Sequence, residues 1–280
     1  MIQACYRFLD FPKLVFFVLF SWLLFSLELT DPDFHWHLKT GEYLVTTGAL
    51  PSGDPFSYTF SGKPWVLHEW LFEVGLYAIS AALGTWGIKL LTAGIGVLSL
   101  YIVYTAAKRL LLDSTLPILI TILFFMLLQM GLAPRPQLMT YLCLSVLLQV
   151  LIEFKYTKRA RFLWSLPPLM IVWVNSHAGF MVGIALLGVF TCCEWWTHLR
   201  RGAGDRNRLI ELSAVGFLTV LATTVNPYFV EHWLYPFQVL NMDLAISVIS
   251  EWQSPNFQES IFKVYLILAL GFLILTAYRR

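Results

Sequence analysis

Apolar residues run along this chain in long blocks separated by short polar segments. Blocks long enough, or nearly long enough, to cross about 30 Å of hydrocarbon fall at 12–29, 88–107, 116–133, 137–153, 162–175, 181–197, 209–225 and 260–277. The pattern predicts an all-α, polytopic integral membrane protein with about eight transmembrane helices in a single domain over residues 1–280. A large first outer loop, about 30–87, is expected to carry a surface helix over 70–83, and a last outer loop spans about 226–259. The first loop is punctuated by Gly41, Gly48, Pro51, Gly53, Pro55, Gly62 and Pro64, which marks it as rich in turns.

Composition agrees with the pattern: 58% of the residues are hydrophobic and 13% charged, with a mean hydropathy of +0.68, outside the range of a soluble globular domain. The placement of charge sets the expected orientation. With the N-terminus inside, the cytoplasmic segments carry 14 of the 19 Lys and Arg, leaving Lys39, Lys63, Lys89, Arg135 and Lys263 elsewhere. The positive-inside rule then puts both termini in the cytoplasm. It also keeps 70–83 out of the count of spans and makes 162–197 a hairpin turning at Asn175-Ser176-His177, because either alternative separates the basic loops 155–161 and 200–208 from the cytoplasmic side.

Cys5, Cys143, Cys192 and Cys193 fall in spans or the cytoplasmic tail, so no disulfide framework supports the outer loops. The first apolar block lacks a small-residue cleavage site before Asp31 and reads as a retained anchor. The basic loops face lipid headgroups, and no nucleic-acid footprint is present.

Candidate chemistry concentrates on the outer side. Asp31-Pro32-Asp33-Phe34-His35-Trp36-His37 follows the first span directly and spaces four groups able to bind a metal or a proton at every second position. An extended backbone puts all four on one side, whereas a helix pairs Asp31 with His35 and Asp33 with His37. Asp31, Asp33, His35 and His37 are therefore candidate ligands for a divalent ion such as Mg²⁺ or Mn²⁺. His68 and Glu69 precede the surface helix, and His177 lies in the expected hairpin turn. Arg135, stiffened by Pro134 and Pro136, is the one Arg that this topology places outside, and its fork of donors suits a phosphate close to the bilayer. Lys63 or Lys39 is the fallback, and His177 is a second candidate contact to the same phosphate. Glu251 and Trp252 of the last loop, with His68, are candidates for a lid or acceptor contact. The plain alternative for Asp31 and Asp33 is that they end the first span and are solvated.

The phrases Asp31-Pro32-Asp33-Phe34-His35-Trp36-His37-Leu38-Lys39-Thr40-Gly41, Arg135-Pro136-Gln137-Leu138 and Trp173-Val174-Asn175-Ser176-His177-Ala178-Gly179-Phe180 resemble a bacterial branch of the GT-C membrane glycosyltransferases. The order of elements is similar too: Asp-x-Asp after the first span, a Gly/Pro-rich loop, then His68-Glu69 opening a surface helix that ends at Leu83-Gly84. The resemblance implies a sugar donor carried on a polyprenyl phosphate or diphosphate, an acceptor glycan, lipid or protein outside the membrane, and surrounding membrane lipids. It implies Asp31 as general base or metal ligand, Asp33 as its assistant, and Glu69 as the group that orients the acceptor or completes a metal site. The chain has no Trp-Trp-Asp-Tyr-Gly run, so transfer to asparagine is not expected. Two other classes fit parts of the pattern. A transporter or flippase shares intramembrane carboxylates and broken helices, but usually shows internal repeats and midplane charges that are not seen here. A non-catalytic scaffold would leave Asp31 and Asp33 replaceable.

Overall fold

The computed structural model describes residues 11–29, 31–110, 116–157, 160–202, 204–240, 254, 256–260, 262–264, 266–267 and 270. Helices are the only regular elements among these residues, with no strand. The helices are α1 (Phe11–Ser26), α2 (Pro32–Thr47), α3 (Trp70–Leu110), α4 (Leu116–Leu128), α5 (Gln137–Ile152), α6 (Leu166–Val174), α7 (Phe180–Arg201), α8 (Arg206–Ala222) and α9 (Val230–Leu240). The chain divides after His232 into two compact units. In the second, Asn256 accepts from the Gln258 N–H through its side chain and caps a short helical turn.

Of the eight expected spans, three helices among the described residues are long and apolar enough to cross a membrane: Trp70–Leu110, Gln137–Thr157 and Phe180–Arg201. The other apolar blocks form shorter helices, and the physical reasons are local. The block at 162–175 gives only the 9 residues of α6, because Pro167 and Pro168 occupy its first turn, where their missing N–H groups do no harm; the preceding Ala160–Ser165 is a 3₁₀ helix. The block at 116–133 stops as an α-helix after 13 residues and tightens into a 3₁₀ turn at Gln129–Gly131. The blocks at 12–29 and 209–225 give helices of 16 and 17 residues. Most of 260–277 lies outside the described residues. Large apolar side chains such as Phe17, Phe25, Leu199 and Phe217 face outward, the surface expected of a chain that associates with lipid.

The segment 31–87, expected to be an outer loop, contains α2 and the first part of α3. Asp31 caps α2: its backbone is extended, its carboxylate accepts from the Asp33 N–H at 2.9 Å, and Pro32 presets the first turn. Gly48, with φ 65°, closes the helix in the left-handed conformation. Between α2 and α3, Asp54 organises a turn by accepting from the Phe56 and Ser57 N–H groups. The expected helix over 70–83 forms and ends at Gly84, where φ 58° and ψ −147° break α3 into two helices; only glycine adopts that backbone readily.

The core of the first unit joins α1, α2, α3 and α5 through Leu23, Phe34, Phe72, Leu76, Ile88, Ala93, Leu132 and Leu138. α2 packs tightly on α3 at Gly41, where a Cβ would sit 2.1 Å from the Glu73 carbonyl oxygen. That contact sets how near the side chains one turn away can come.

Candidate functional site

Two polar constellations sit on the elements around α2. The first is an ion-pair triad. Arg135, on the turn between α4 and α5, reaches Asp31 Oδ2 with Nε at 2.6 Å and Asp33 Oδ2 with Nη2 at 3.1 Å. Asp31 is thus engaged by its own helix N-terminus and by a guanidinium together, whereas Asp33 is about half exposed. Arg135, expected to meet a donor phosphate, meets two carboxylates here.

The second constellation is buried. His37 lies on the face of α2 turned toward α3, and its Nδ1 is 2.9 Å from Glu73 Oε1 and 3.8 Å from Glu69 Oε2. The other oxygen of Glu69 faces two histidines: His68 Nε2 at 3.3 Å and His177 Nε2 at 3.9 Å. His232 adds a fourth ring, edge-on to His68 at a centroid distance of 5.9 Å.

Neighbouring groups fix the orientation of these rings. His177 Nδ1 accepts the Gly179 N–H at 3.0 Å, which leaves its proton on Nε2, pointing at Glu69. The Thr140 hydroxyl lies 2.8 Å from the same Nδ1 and is itself held by the Trp173 indole N–H at 2.9 Å. His68 Nδ1 is 3.3 Å from the Val66 carbonyl, so Nδ1 carries a proton and Nε2 turns to Glu69. Asn175 locks the start of α3 in place: its side chain accepts from the Trp70 indole and donates to the Ile171 and Val225 carbonyls, and its own carbonyl accepts the Leu71 N–H.

Electrostatics separate the rings. Burial drives the His37 pKa down to about 4 against the opposing charges of Glu69 and Asp33, so its imidazole is neutral near pH 7 and the 2.9 Å contact with Glu73 holds a single proton. Burial also lowers His177, and burial together with His68 takes His232 to about 4. His68 goes the other way. Burial opposes its charge, but the Glu69 carboxylate, its hydrogen bond and the Val66 carbonyl outweigh that and raise the pKa. Glu69, although buried, is held below the usual carboxylate range by the charge and hydrogen bond of His68, with His177 and His37 adding to it. The shifts of Glu69 and His68 thus favour the charged forms of that pair, whereas those of His37 and His177 favour neutral rings around it.

The structure sorts the expected site residues into groups. Asp31 and Asp33 join Arg135; His37, His68, Glu69 and His177 join one another. The candidate metal set of Asp31, Asp33, His35 and His37 is not brought together. From Pro32 the backbone is helical, so residues two apart point in different directions; His35 is exposed while His37 is buried. Lys63 is exposed in the turn after Phe60, Lys39 pairs with Glu42 at 2.6 Å, and neither forms an ion pair with the carboxylates of the two constellations among the described residues. Glu251 and Trp252 lie outside the described residues. Glu73 was missed from sequence, although it had a signal: an acidic residue inside an apolar run, four positions after Glu69 and so on the same helical face.

An apolar groove of about 730 Å³ opens beside this end of the molecule, lined by Trp70, Leu71, Ile171, Val172, Asn175 and Phe229 among others. Through Trp70 and Asn175 it adjoins the segment that carries Glu69. No family model, curated protein or solved structure matches the chain.

Proposed function

We propose that the chain is a membrane-embedded glycosyltransferase of the GT-C kind, which moves a sugar from a polyprenyl-phosphate-linked donor to an acceptor hydroxyl on the extracytoplasmic face. In this reading the shorter apolar helices cross the bilayer together with the three long ones, and both termini are cytoplasmic. The observation that carries it is the position of Asp31, a carboxylate at the cap of the first loop helix, just after the first apolar helix and held by Arg135. An oriented carboxylate close to a cation is what a hydroxyl nucleophile and a phosphate leaving group need side by side.

The transfer follows from those groups. Asp31 takes the proton of the acceptor hydroxyl as its oxygen bonds to the anomeric carbon. The bond from that carbon to the phosphate oxygen breaks, and its electron pair leaves with the lipid phosphate. Arg135, already between the two carboxylates, lies where the developing negative charge can meet its guanidinium. Glu69, fixed by His68 and His177, orients the acceptor, and the apolar groove at Trp70 and Asn175 offers room for the isoprenoid chain.

In a strain lacking its own copy of the gene, Asp31→Asn at matched membrane abundance is expected to abolish the dependent surface glycan, since a positioned base contributes about 10²–10⁴ in rate. Normal glycan with Asn at position 31 would overturn the assignment.

A further inference from the structure

We infer that His37, Glu69 and Glu73 form a binding site for a divalent transition-metal ion, best matched by Zn²⁺, with a fourth coordination position left for water or substrate. The inference does not rest on the glycosyltransferase reading; the site can hold a metal whatever the chain catalyses.

The donor atoms already converge. One ligand atom from each of the three residues lies within 4.8 Å of the others, and all three side chains are buried. A tetrahedral zinc ion with bonds of about 2.0–2.2 Å separates its ligand atoms by roughly 3.3–3.6 Å. His37 Nδ1 lies 3.8 Å from Glu69 Oε2 and 2.9 Å from Glu73 Oε1, so one gap closes and the other opens by a few tenths of an ångström. Side-chain rotation supplies that.

An independent observation is the state of Glu73. Its side chain is completely buried, and Oε2 has no hydrogen-bond partner among the described residues. A buried carboxyl oxygen without a hydrogen-bond partner is costly, and the histidine on the other oxygen does not satisfy it. A divalent ion would satisfy both glutamates at once, since two carboxylates and a neutral imidazole carry two negative charges.

The surroundings match a metal site beyond its ligands. Glu69 Oε1 faces His68 and His177, whose orientations are set by Val66, Gly179 and Thr140. Such outer hydrogen bonds aim the remaining oxygen of a ligating carboxylate. The proton that Gly179 forces onto His177 Nε2 turns an N–H toward Glu69, 3.9 Å away, and keeps that nitrogen from being a ligand. The nitrogen donor disfavours Mg²⁺ and Ca²⁺, which prefer all-oxygen sites. The Asp31 and Asp33 pair does not fit a metal, because the Arg135 guanidinium already supplies its cation.

The test is titration of the chelator-stripped, full-length protein in detergent with Zn²⁺ by calorimetry, with Mg²⁺ as competitor. One Zn²⁺ per chain is expected, undisturbed by Mg²⁺. Glu73→Gln and His37→Gln should each weaken it by at least about 100-fold, above the range for losing a supporting hydrogen bond. Asp31→Asn should leave zinc affinity unchanged, so failure of this site and failure of the catalytic assignment are separable. X-ray absorption on the wild type needs no variant to fold, and should show imidazole and oxygen ligation at about 2.0–2.2 Å. Absence of stoichiometric binding, unchanged binding in Glu73→Gln, loss in Asp31→Asn, or sulfur ligation would each overturn the site.

Discussion

Glu73 and Glu153 are both buried glutamates on largely apolar helical segments, and their surroundings are opposite. Glu153, in the π-helical turn after α5, is saturated: Arg109 Nε lies 2.5 Å from Oε1, Gln149 donates to Oε1 at 3.2 Å, and the Thr157 hydroxyl donates to Oε2 at 2.7 Å. Glu73 has a histidine on one oxygen and no hydrogen-bond partner for the other among the described residues. An arginine keeps its proton under all ordinary conditions, so Glu153 is permanently neutralised and serves to tie the end of α3 to the end of α5. A histidine can gain or lose a proton, and an unsatisfied oxygen can accept a new partner. The first arrangement holds the fold together; the second leaves coordination capacity at the end of the molecule where Asp31, Glu69 and Arg135 also lie.

That contrast predicts unequal responses to replacing the two glutamates. Glu153→Gln leaves Arg109 without its carboxylate and is expected to destabilise by on the order of 2–3 kcal/mol, below the range for fully buried pairs because Arg109 is 40% exposed. Glu73→Gln keeps the shape and removes an incompletely paired carboxylate, so stability should change by less than about 1 kcal/mol. Thermal unfolding of the metal-free proteins in one detergent compares them directly, and equal losses would erase the distinction.

Gly41→Ala probes the packing that brings His37 to Glu73. The added Cβ meets the Glu73 carbonyl oxygen, and forcing the helices apart should cost about 1–3 kcal/mol. Unlike Glu153→Gln, it should also lower zinc affinity, which calorimetry on the same sample would show.

A smaller effect concerns pH. His37 and His232 are held near pKa 4, below the ordinary 6.5, so the unfolded chain binds protons there that the folded chain does not. Stability of the metal-free protein should therefore fall as pH drops from about 6.5 toward 4. The depressed Glu69 adds a loss in the same direction at the acid end, as its charge is neutralised. The raised His68 acts oppositely: its stabilisation is full below its ordinary pKa and fades as pH rises through the folded value. His232→Phe retains ring packing against Phe180 and His68 and should flatten the acid slope in melts at pH 7, 6 and 5. An unchanged slope would show that His232 does not carry it.

The sequence made parts of this arrangement legible through local chemistry. Asp31-Pro32 announces a helix start, Gly84 breaks the helix that begins at Trp70, and Asn175-Ser176-His177 marks a turn between α6 and α7, because capping, glycine conformations and broken apolar runs are local properties. The partners were not legible. Alternation along 31–37 left open whether the four groups share a face, and the helical backbone divides them between Arg135 and Glu73. His37 and Glu73 are 36 positions apart, and the tertiary packing of α2 on α3, tight at Gly41, joins them. That only three of the expected blocks form helices long enough to cross a membrane alone, among the described residues, has a different reason. Apolar composition records preference for lipid, while Pro167, Pro168 and the 3₁₀ turns decide where a helix can run.

The most direct test of the central claim is release of polyprenyl phosphate by the purified protein reconstituted in vesicles that carry a polyprenyl-phosphate sugar, with an acceptor extract supplied outside. The wild type should release lipid phosphate in step with glycosylated acceptor, and Asp31→Asn should reduce both by about 10²–10⁴. Equal turnover in the two proteins, or no release from any such donor by a wild type that keeps its fold, would contradict the account.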